Sequence, residues 1–290
     1  MPVRRACLKS MTEQFPVRST SRDRAHTLRS AMGGVTITFL GTGTSQGVPV
    51  IACDCPVCRS NDRRDHRTRT SIYVQTPECA WIVDTGADFR MQCLREKIRR
   101  IDAVVYTHSH TDHIMGFDDL RPFAKGEKPL PIYASPETLA DLERVFQFAF
   151  DGAHRFPGYL HPDPRPITGT FQLGTTELEP LPLPHGRATV NGYLFSRDGE
   201  RLAAYLTDCS HVSDAIVERI SGVRHLIIDA LRRRPHPTHM TIDEAVTVAR
   251  RTGAGQAWLT HLCHDLTHAE IEASLPSDVR VAYDGLRIEM

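Results

Sequence analysis

Six residues, His108 to His113, limit what this chain can become more than any other stretch. The run His108-Ser109-His110-Thr111-Asp112-His113 is parted by Thr107 alone from the apolar segment Ala103-Val104-Val105-Tyr106. Three imidazoles and a carboxylate held so close together lose solvation for no return unless something binds them, and borderline divalent metals such as zinc suit that donor set. His108 and His110, two apart in an extended loop, point the same way and can share one ion. Asp112 and His113 project from the next turn toward a second. A polar loop of surface histidines is the plain alternative, but the run is dense and stands at a strand end, where α/β proteins build their sites.

At 290 residues the chain can bury a full core, and one large domain is expected over residues 32–290. Lys plus Arg and Asp plus Glu number 35 each, so no global charge draws the protein to nucleic acid or to an anionic membrane. No apolar run approaches the roughly 18 to 20 residues of a membrane span, so a soluble protein with no membrane partner is expected. Of eight cysteines three stand within six residues, a pattern of metal binding in a reducing compartment, from which a cytoplasmic location is inferred. Residues 1–31 carry Arg4, Arg5, Lys9, Arg18, Arg22, Arg24 and Arg29 against Glu13 and Asp23. They read as a disordered basic tail, an organelle transit peptide, or residues ahead of a true start at Met32. The oligomeric state stays open, a homodimer included.

Val35 to Leu40 is a strand pattern that runs into Gly41-Thr42-Gly43, either a phosphate-binding nest or a plain tight turn. In Cys53-Asp54-Cys55-Pro56-Val57-Cys58 three thiolates fit three corners of a tetrahedral zinc, with His264 as the candidate fourth ligand. A closed shell of that kind is structural; free or oxidised thiols are the alternative. Arg63, Arg64, Arg67 and Arg69 form a basic run, either a solvated loop or a face toward a phosphorylated substrate. Residues 71–74 and 80–83 read as a hairpin ending in Asp84, a carboxylate placed to orient a metal-bound histidine from behind. Helices are expected near 88–100, 116–123 and 136–148. The stretch 151–166, rich in Gly, Pro and His, reads as a lid or substrate loop in which His154 and His161 are incidental.

Residues 171–183 are extended and deliver His185. Asn191-Gly192 then gives the strongest hairpin signal in the chain and Asp198-Gly199 a second, after which a strand over 202–207 ends at Asp208. Beside the histidine run, His185 and Asp208 become the expected remaining ligands, with His261, at the end of a strand over 256–260, as the last. Another strand over 225–228 ends in Asp229. Thr241 followed by Glu244 is a capping-box pattern for a helix reaching Arg251, so His239 lies just ahead of a helix amino-terminus.

The order His108-x-His110-x-Asp112-His113, then His185, Asp208 and His261, each after a strand, resembles the metallo-β-lactamase superfamily over residues 35–290. The resemblance implies an α/β protein with an αβ/βα four-layer sandwich: two mixed β-sheets face to face, helices outside, and a dinuclear site at one edge. It places one ion on His108, His110 and His185 and the other on Asp112, His113 and His261, with Asp208 bridging. The cysteine loop with His264 is similar to that of the cyclic ribose-phosphate phosphodiesterases of phosphonate breakdown, and His239 stands where those enzymes have a general acid. Asp112 and His239 are thus the catalytic candidates, with two divalent ions, zinc or manganese, and one structural zinc as cofactors.

The expected reaction is hydrolysis of a small cyclic ribose or nucleotide phosphodiester. Paired cations ionise a shared water that attacks phosphorus, and His239 protonates the leaving oxygen. The alternatives are a tRNA 3′-processing nuclease, a thioester or lactone hydrolase, or a non-catalytic accessory protein like the member of the pyrroloquinoline quinone pathway, which also resembles this chain. The neutral charge balance argues against a nucleic-acid partner. The intact histidine run argues for an enzyme, because the accessory protein typically has a degraded one.

Overall fold

Short runs of β-branched and aromatic residues separated by turn residues give the chain its strands. The computed structural model describes residues 34–124, 128–152 and 158–290. The basic segment 1–31 and His154, with the expectations attached to them, lie outside the described residues. The first half comprises β1 (Thr36–Gly41), β2 (Ser71–Gln75), β3 (Ala80–Val83), α1 (Phe89–Glu96), β4 (Ala103–Val105), α2 (Thr111–Ile114), a 3-10 segment Phe117–Phe123, β5 (Leu130–Ala134), α3 (Pro136–Val145), α4 (Gln147–Phe150) and β6 (Pro162–Pro166). The second comprises β7 (Phe171–Leu173), β8 (Thr176–His185), β9 (Ala188–Arg197), β10 (Glu200–Leu206), α5 (Asp214–Arg219), β11 (His225–Asp229), α6 (Ile242–Thr252), β12 (Gln256–Thr260), α7 (His268–Ala273) and β13 (Val279–Val281), and β14 (Arg287–Glu289) returns to pair with β1.

These strands form two sheets, ordered β14-β1-β2-β3-β4-β5-β6 and β13-β12-β11-β10-β9-β8-β7. Each is mixed: β1 to β3 and β7 to β10 pair antiparallel, while β3 to β6 and β10 to β13 pair parallel. Alternation along the strands sorts their side chains into layers. Ile37, Phe39, Val83 and Val105 of one sheet meet Tyr193, Phe195, Tyr205 and Ile227 of the other in the central core. The opposite face of the first sheet presents Ile82, Val104 and Ile132 to Phe89, Leu139 and Leu142 on its helices. The far face of the second presents Leu226, Ile228 and Leu259 to Ile216, Ala245 and Val248. The result is the four-layered αβ/βα sandwich, and burial on both faces explains why its parallel strands read as unbroken apolar runs. Among the described residues no helix is long and apolar enough to cross a membrane.

Five expectations need correction. Asn191-Gly192 is not a turn: it lies inside the continuous strand β9, and the chain reverses instead at Gly186, whose φ is 62°. Gly192 serves close packing, since a Cβ there would stand 2.8 Å from Leu206 Cδ2 and 2.9 Å from Leu183 Cδ1. Within the supposed lid 151–166, Pro162–Pro166 forms β6, a sheet-edge strand that among the described residues pairs only with β5, where prolines are tolerated because one side needs no N–H donors. The single helix over 136–148 is two, parted at Phe146 with φ −112° and ψ 37°. Arg67 is neither solvated nor turned to a substrate. It is 4% exposed and donates to Thr42 Oγ1 and the Ala282 carbonyl at 2.9 and 2.7 Å. Gly41 ends β1 and Gly43 bridges Arg69 and Leu262, so the Gly-Thr-Gly stretch is extended backbone and not a tight turn, and its glycines let the Arg67–Arg69 segment pack closely against it, since a Cβ at Gly41 would strike the Arg69 carbonyl.

Candidate metal centre

Strands β3, β4, β8, β10, β11 and β12 all end at one edge of the sandwich, and each delivers a polar side chain there. Asp84 follows β3, the run 107–113 follows β4, His185 ends β8, Asp208 follows β10, Asp229 ends β11 and His261 follows β12. The chain leaves three of these strands through left-handed conformations at non-glycine residues, with φ of 65° at Asp84, 56° at Asp208 and 60° at His261. Such geometry is costly for residues with a Cβ and concentrates at functional sites. Helix α2 is a single turn after His110 that brings Asp112 and His113 onto the inner side.

The candidate side chains converge in two overlapping groups. One ligating atom each from His108, His110 and His185 lies within 4.8 Å of the others, and the same holds for Asp112, His113, Asp208 and His261. Asp208 stands between the groups: Oδ2 is 3.3 Å from His113 Nε2, Oδ1 is 3.2 Å from His261 Nε2, and the carboxylate also clusters with His185 and His239. That is the position of a bridge.

Hydrogen bonds behind the imidazoles set their tautomers. His113 Nδ1–H donates to Asp84 at 2.7 Å, and His185 Nδ1–H donates to the Thr238 carbonyl at 3.0 Å. Thr107 gives its hydroxyl proton to Asp84 at 2.8 Å and lies 3.0 Å from His108 Nδ1, from which it can accept. Each ring therefore turns a bare Nε2 lone pair inward, the arrangement that precedes metal binding.

The donor set fits divalent cations. His108 Nε2, His113 Nε2 and both ring nitrogens of His261 are buried without a hydrogen-bond partner. Each such orphan costs about 1–3 kcal/mol unless another species engages it. Burial keeps His108, His185 and His261 below the usual imidazole range, favouring the neutral ring a cation needs. Around His113 burial acts in the same sense, but Asp208, Asp84 and Asp112 outweigh it and draw positive charge to this point. Burial opposes ionisation of Asp112 and Asp208, yet the neighbouring His113 and His261 hold both carboxyls below their ordinary range.

The cysteine loop is joined to this edge from outside. His264 Nδ1 is 3.4 Å from the Sγ atoms of Cys53, Cys55 and Cys58, and none of the three is in a disulfide. The backbone N–H of Val50 points at Cys58 Sγ and that of Cys58 at Cys55 Sγ, at 3.3 and 3.4 Å. The Cys58 N–H is the main influence that brings Cys55 down to about 6. Four donors around one point, with no open corner, make a closed site.

His239 stands against the centre, its ring 4.6 Å from that of His261 and 4.9 Å from that of His185. Its Nδ1–H donates to Asp229 at 2.7 Å, leaving Nε2 as its remaining ring nitrogen. Asp229, fully buried and raised above the carboxylate range chiefly by that burial, also accepts from the Cys209 N–H. Sequence reasoning assigned Asp229 no role. Its one signal is position, at a strand end like Asp84 and Asp208. Thr107 and Thr238, which fix the rings of His108 and His185, carry no signal of spacing at all. His161 makes no part of either metal-type group among the described residues.

Residues 81–262 match the family model of the beta-lactamase superfamily domain. A crystal structure described as a new diphosphatase from the PhnP family superposes with a TM-score of 0.82 at 40% identity, covering 89% of this chain and 97% of that one. An octanoyltransferase of Porphyromonas gingivalis is 37% identical over 86% of this chain, which spans only 50% of that longer protein. A coenzyme PQQ synthesis protein B of Methylobacterium radiotolerans is 30% identical, with 67% of this chain and 72% of that protein covered.

Proposed function

This chain belongs to the metallo-β-lactamase superfamily and has the fold of its metal-dependent hydrolases, and from that premise we propose that it hydrolyses a small phosphodiester. His108, His110 and His185 would hold one divalent ion, Asp112, His113 and His261 a second, and Asp208 would bridge them. Cys53, Cys55, Cys58 and His264 would hold a structural zinc that ties the early loop to the carboxy-terminal part of the centre. Zinc and manganese both suit the active-site donors. The diphosphatase that shares 40% of its sequence with this chain supports cleavage at phosphorus.

The observation that carries this reading is the placement of His239 against both groups of candidate ligands. When bound, a pair of divalent ions supplies Lewis acidity toward phosphoryl oxygens and a nucleophile made from water at neutral pH. Everything else falls to the protein. Asp112, held ionised, accepts a hydrogen bond from the attacking water at its carboxylate and orients it. His239 gives a proton from Nε2 to the departing sugar oxygen, which is a poor leaving group without one. Asp229 keeps Nδ1–H engaged and fixes the ring's direction.

A panel of bis(p-nitrophenyl) phosphate, a 2′,3′-cyclic nucleotide, a thioester and precursor tRNA tests the reading. Both phosphodiesters should be hydrolysed and the other two should not. His239→Ala should lower turnover of the cyclic nucleotide by about 10²–10⁴ with metal content unchanged. It should cost bis(p-nitrophenyl) phosphate less, since p-nitrophenolate leaves without a proton. Turnover of the thioester or tRNA alone would overturn the proposal, and no turnover of any ester by fully metallated protein would favour the accessory role.

A further inference from the structure

The loop that carries His239 holds a second imidazole that the reaction as described leaves unused. His236 is half-buried, and its ring centroid lies 5.1 Å from that of His239. Thr238 fixes it. The Thr238 backbone N–H donates to His236 Nδ1 at 3.3 Å, and the Thr238 hydroxyl is 3.1 Å from the same atom. With Nδ1 accepting, the ring proton of neutral His236 stands on Nε2. The same Thr238 accepts from His185 Nδ1 through its carbonyl. One residue therefore sets both a candidate metal ligand and the direction of a free N–H donor beside it.

Arg232, at the base of this loop, supplies a charge without a mate. Its backbone is pinned to the start of α6, where the Ile242 N–H donates to the Arg232 carbonyl at 3.0 Å. Among the described residues its guanidinium meets only carbonyl oxygens, those of Arg234 and Pro235, at 3.3 and 3.4 Å. The adjacent arginines are neutralised: Arg233 pairs with Asp243, and Arg234 pairs with Asp265, whose carboxylate also feels Arg232. Among the described residues no carboxylate pairs with Arg232. The guanidinium lies near enough to His236 to act on it electrostatically, and a guanidinium without a carboxylate partner beside an imidazole N–H, on the loop that carries the candidate acid, suits an anionic oxygen-rich group.

We propose that His236 and Arg232 form an anion subsite that receives the second phosphoryl group of a diphosphate ester. This inference rests on the phosphodiesterase reading above and narrows its substrate class to P–O–P compounds. In such a substrate the oxygen that takes the proton from His239 is the bridging one, and the oxygens of the next phosphorus lie two bonds beyond it, where the same loop can meet them. Hydrolysis joins the oxygen of water to the first phosphorus. The bridging P–O bond breaks with its electron pair on the bridging oxygen, which keeps the proton from His239. The products are two phosphate monoesters.

ADP-ribose and the p-nitrophenyl ester of adenosine 5′-monophosphate share an adenosine and differ in the second phosphoryl group, so their kcat/KM ratio reads the subsite. Arg232→Gln and His236→Asn should each lower that ratio in favour of the single-phosphate ester, mainly through KM for ADP-ribose. The expected loss is roughly tenfold to hundredfold, the scale of a hydrogen bond to a charged group. Equal losses on both esters would mean that the two residues act through the fold, and no loss would mean that they touch no substrate; either overturns the subsite. Wild-type protein that hydrolyses the single-phosphate ester but not ADP-ribose overturns it as well, while leaving the phosphodiesterase reading intact. Hydrolysis of neither by metal-loaded protein overturns the subsite, and the phosphodiesterase reading falls with it if bis(p-nitrophenyl) phosphate and the cyclic nucleotide are left intact as well.

Discussion

The Asp84 carboxylate, fully buried, accepts the Nδ1–H of His113 at 2.7 Å and also the N–H and hydroxyl of Thr107, each at 2.8 Å. A single acid thus governs the ring that faces Asp112 and Asp208 and, through Thr107, the neighbouring ring of His108. Such partners hold imidazole tautomers and raise the basicity of the nitrogen left free.

Asp84→Ala is therefore expected to weaken binding at the active-site centre by about 10–100-fold. Competition against a zinc chelator checks this, with the Cys3His site as internal reference because Asp84 does not reach it. Unchanged affinity would mean that the rings are oriented by something else.

Cys55→Ser opens the closed site. The chain should then carry one zinc fewer by elemental analysis and lose several kcal/mol of stability, because a structural ion's binding energy is folding energy. The active-site ions should remain. A variant with wild-type zinc content would show that Cys53, Cys58 and His264 do not need a fourth donor.

His268 gives a pH dependence that involves neither centre. Burial, then Arg67 and Arg64, bring its imidazole from 6.5 down to about 4, and Arg67 Nη2 approaches its Nδ1 at 3.4 Å. Between these values the unfolded chain binds a proton that the folded chain refuses, so the unfolded state gains as pH falls. Stability is intact above about 6.5, declines as pH drops toward 4, and the loss from this group is complete below that; it is on the order of 2 kcal/mol. Urea unfolding of wild type and His268→Asn across this window should give a shallower slope for the variant. Parallel slopes would remove His268 as the cause.

Most of the candidate site can be read from the chain because its chemistry is written in residue type and strand position. The histidine run advertises itself, and His185, Asp208 and His261 follow strands whose apolar patterns are plain. The Cys53, Cys55 and Cys58 spacing asks for one more donor, and His264 lies where the chain returns. Asp229 stayed without a role because a lone carboxylate after a strand has no motif, and only the fold reveals that β11 ends beside His239. Thr238 was invisible for the same reason, since it acts through its backbone. Asn191-Gly192 misled because local turn chemistry cannot register that Leu183 and Leu206 crowd the glycine from neighbouring strands. Pro162 to Pro166 misled because proline marks a loop unless the strand is known to lie at a sheet edge.

The central claim is that this edge of the sandwich works through paired cations. Zinc or manganese titrated back into chelator-stripped protein, with hydrolysis of a 2′,3′-cyclic nucleotide followed at each addition, tests it most directly. Activity should be absent from stripped protein, rise with metal and level off when two ions beyond the structural zinc are bound. Full activity without metal, or none at any metal content, would contradict the account.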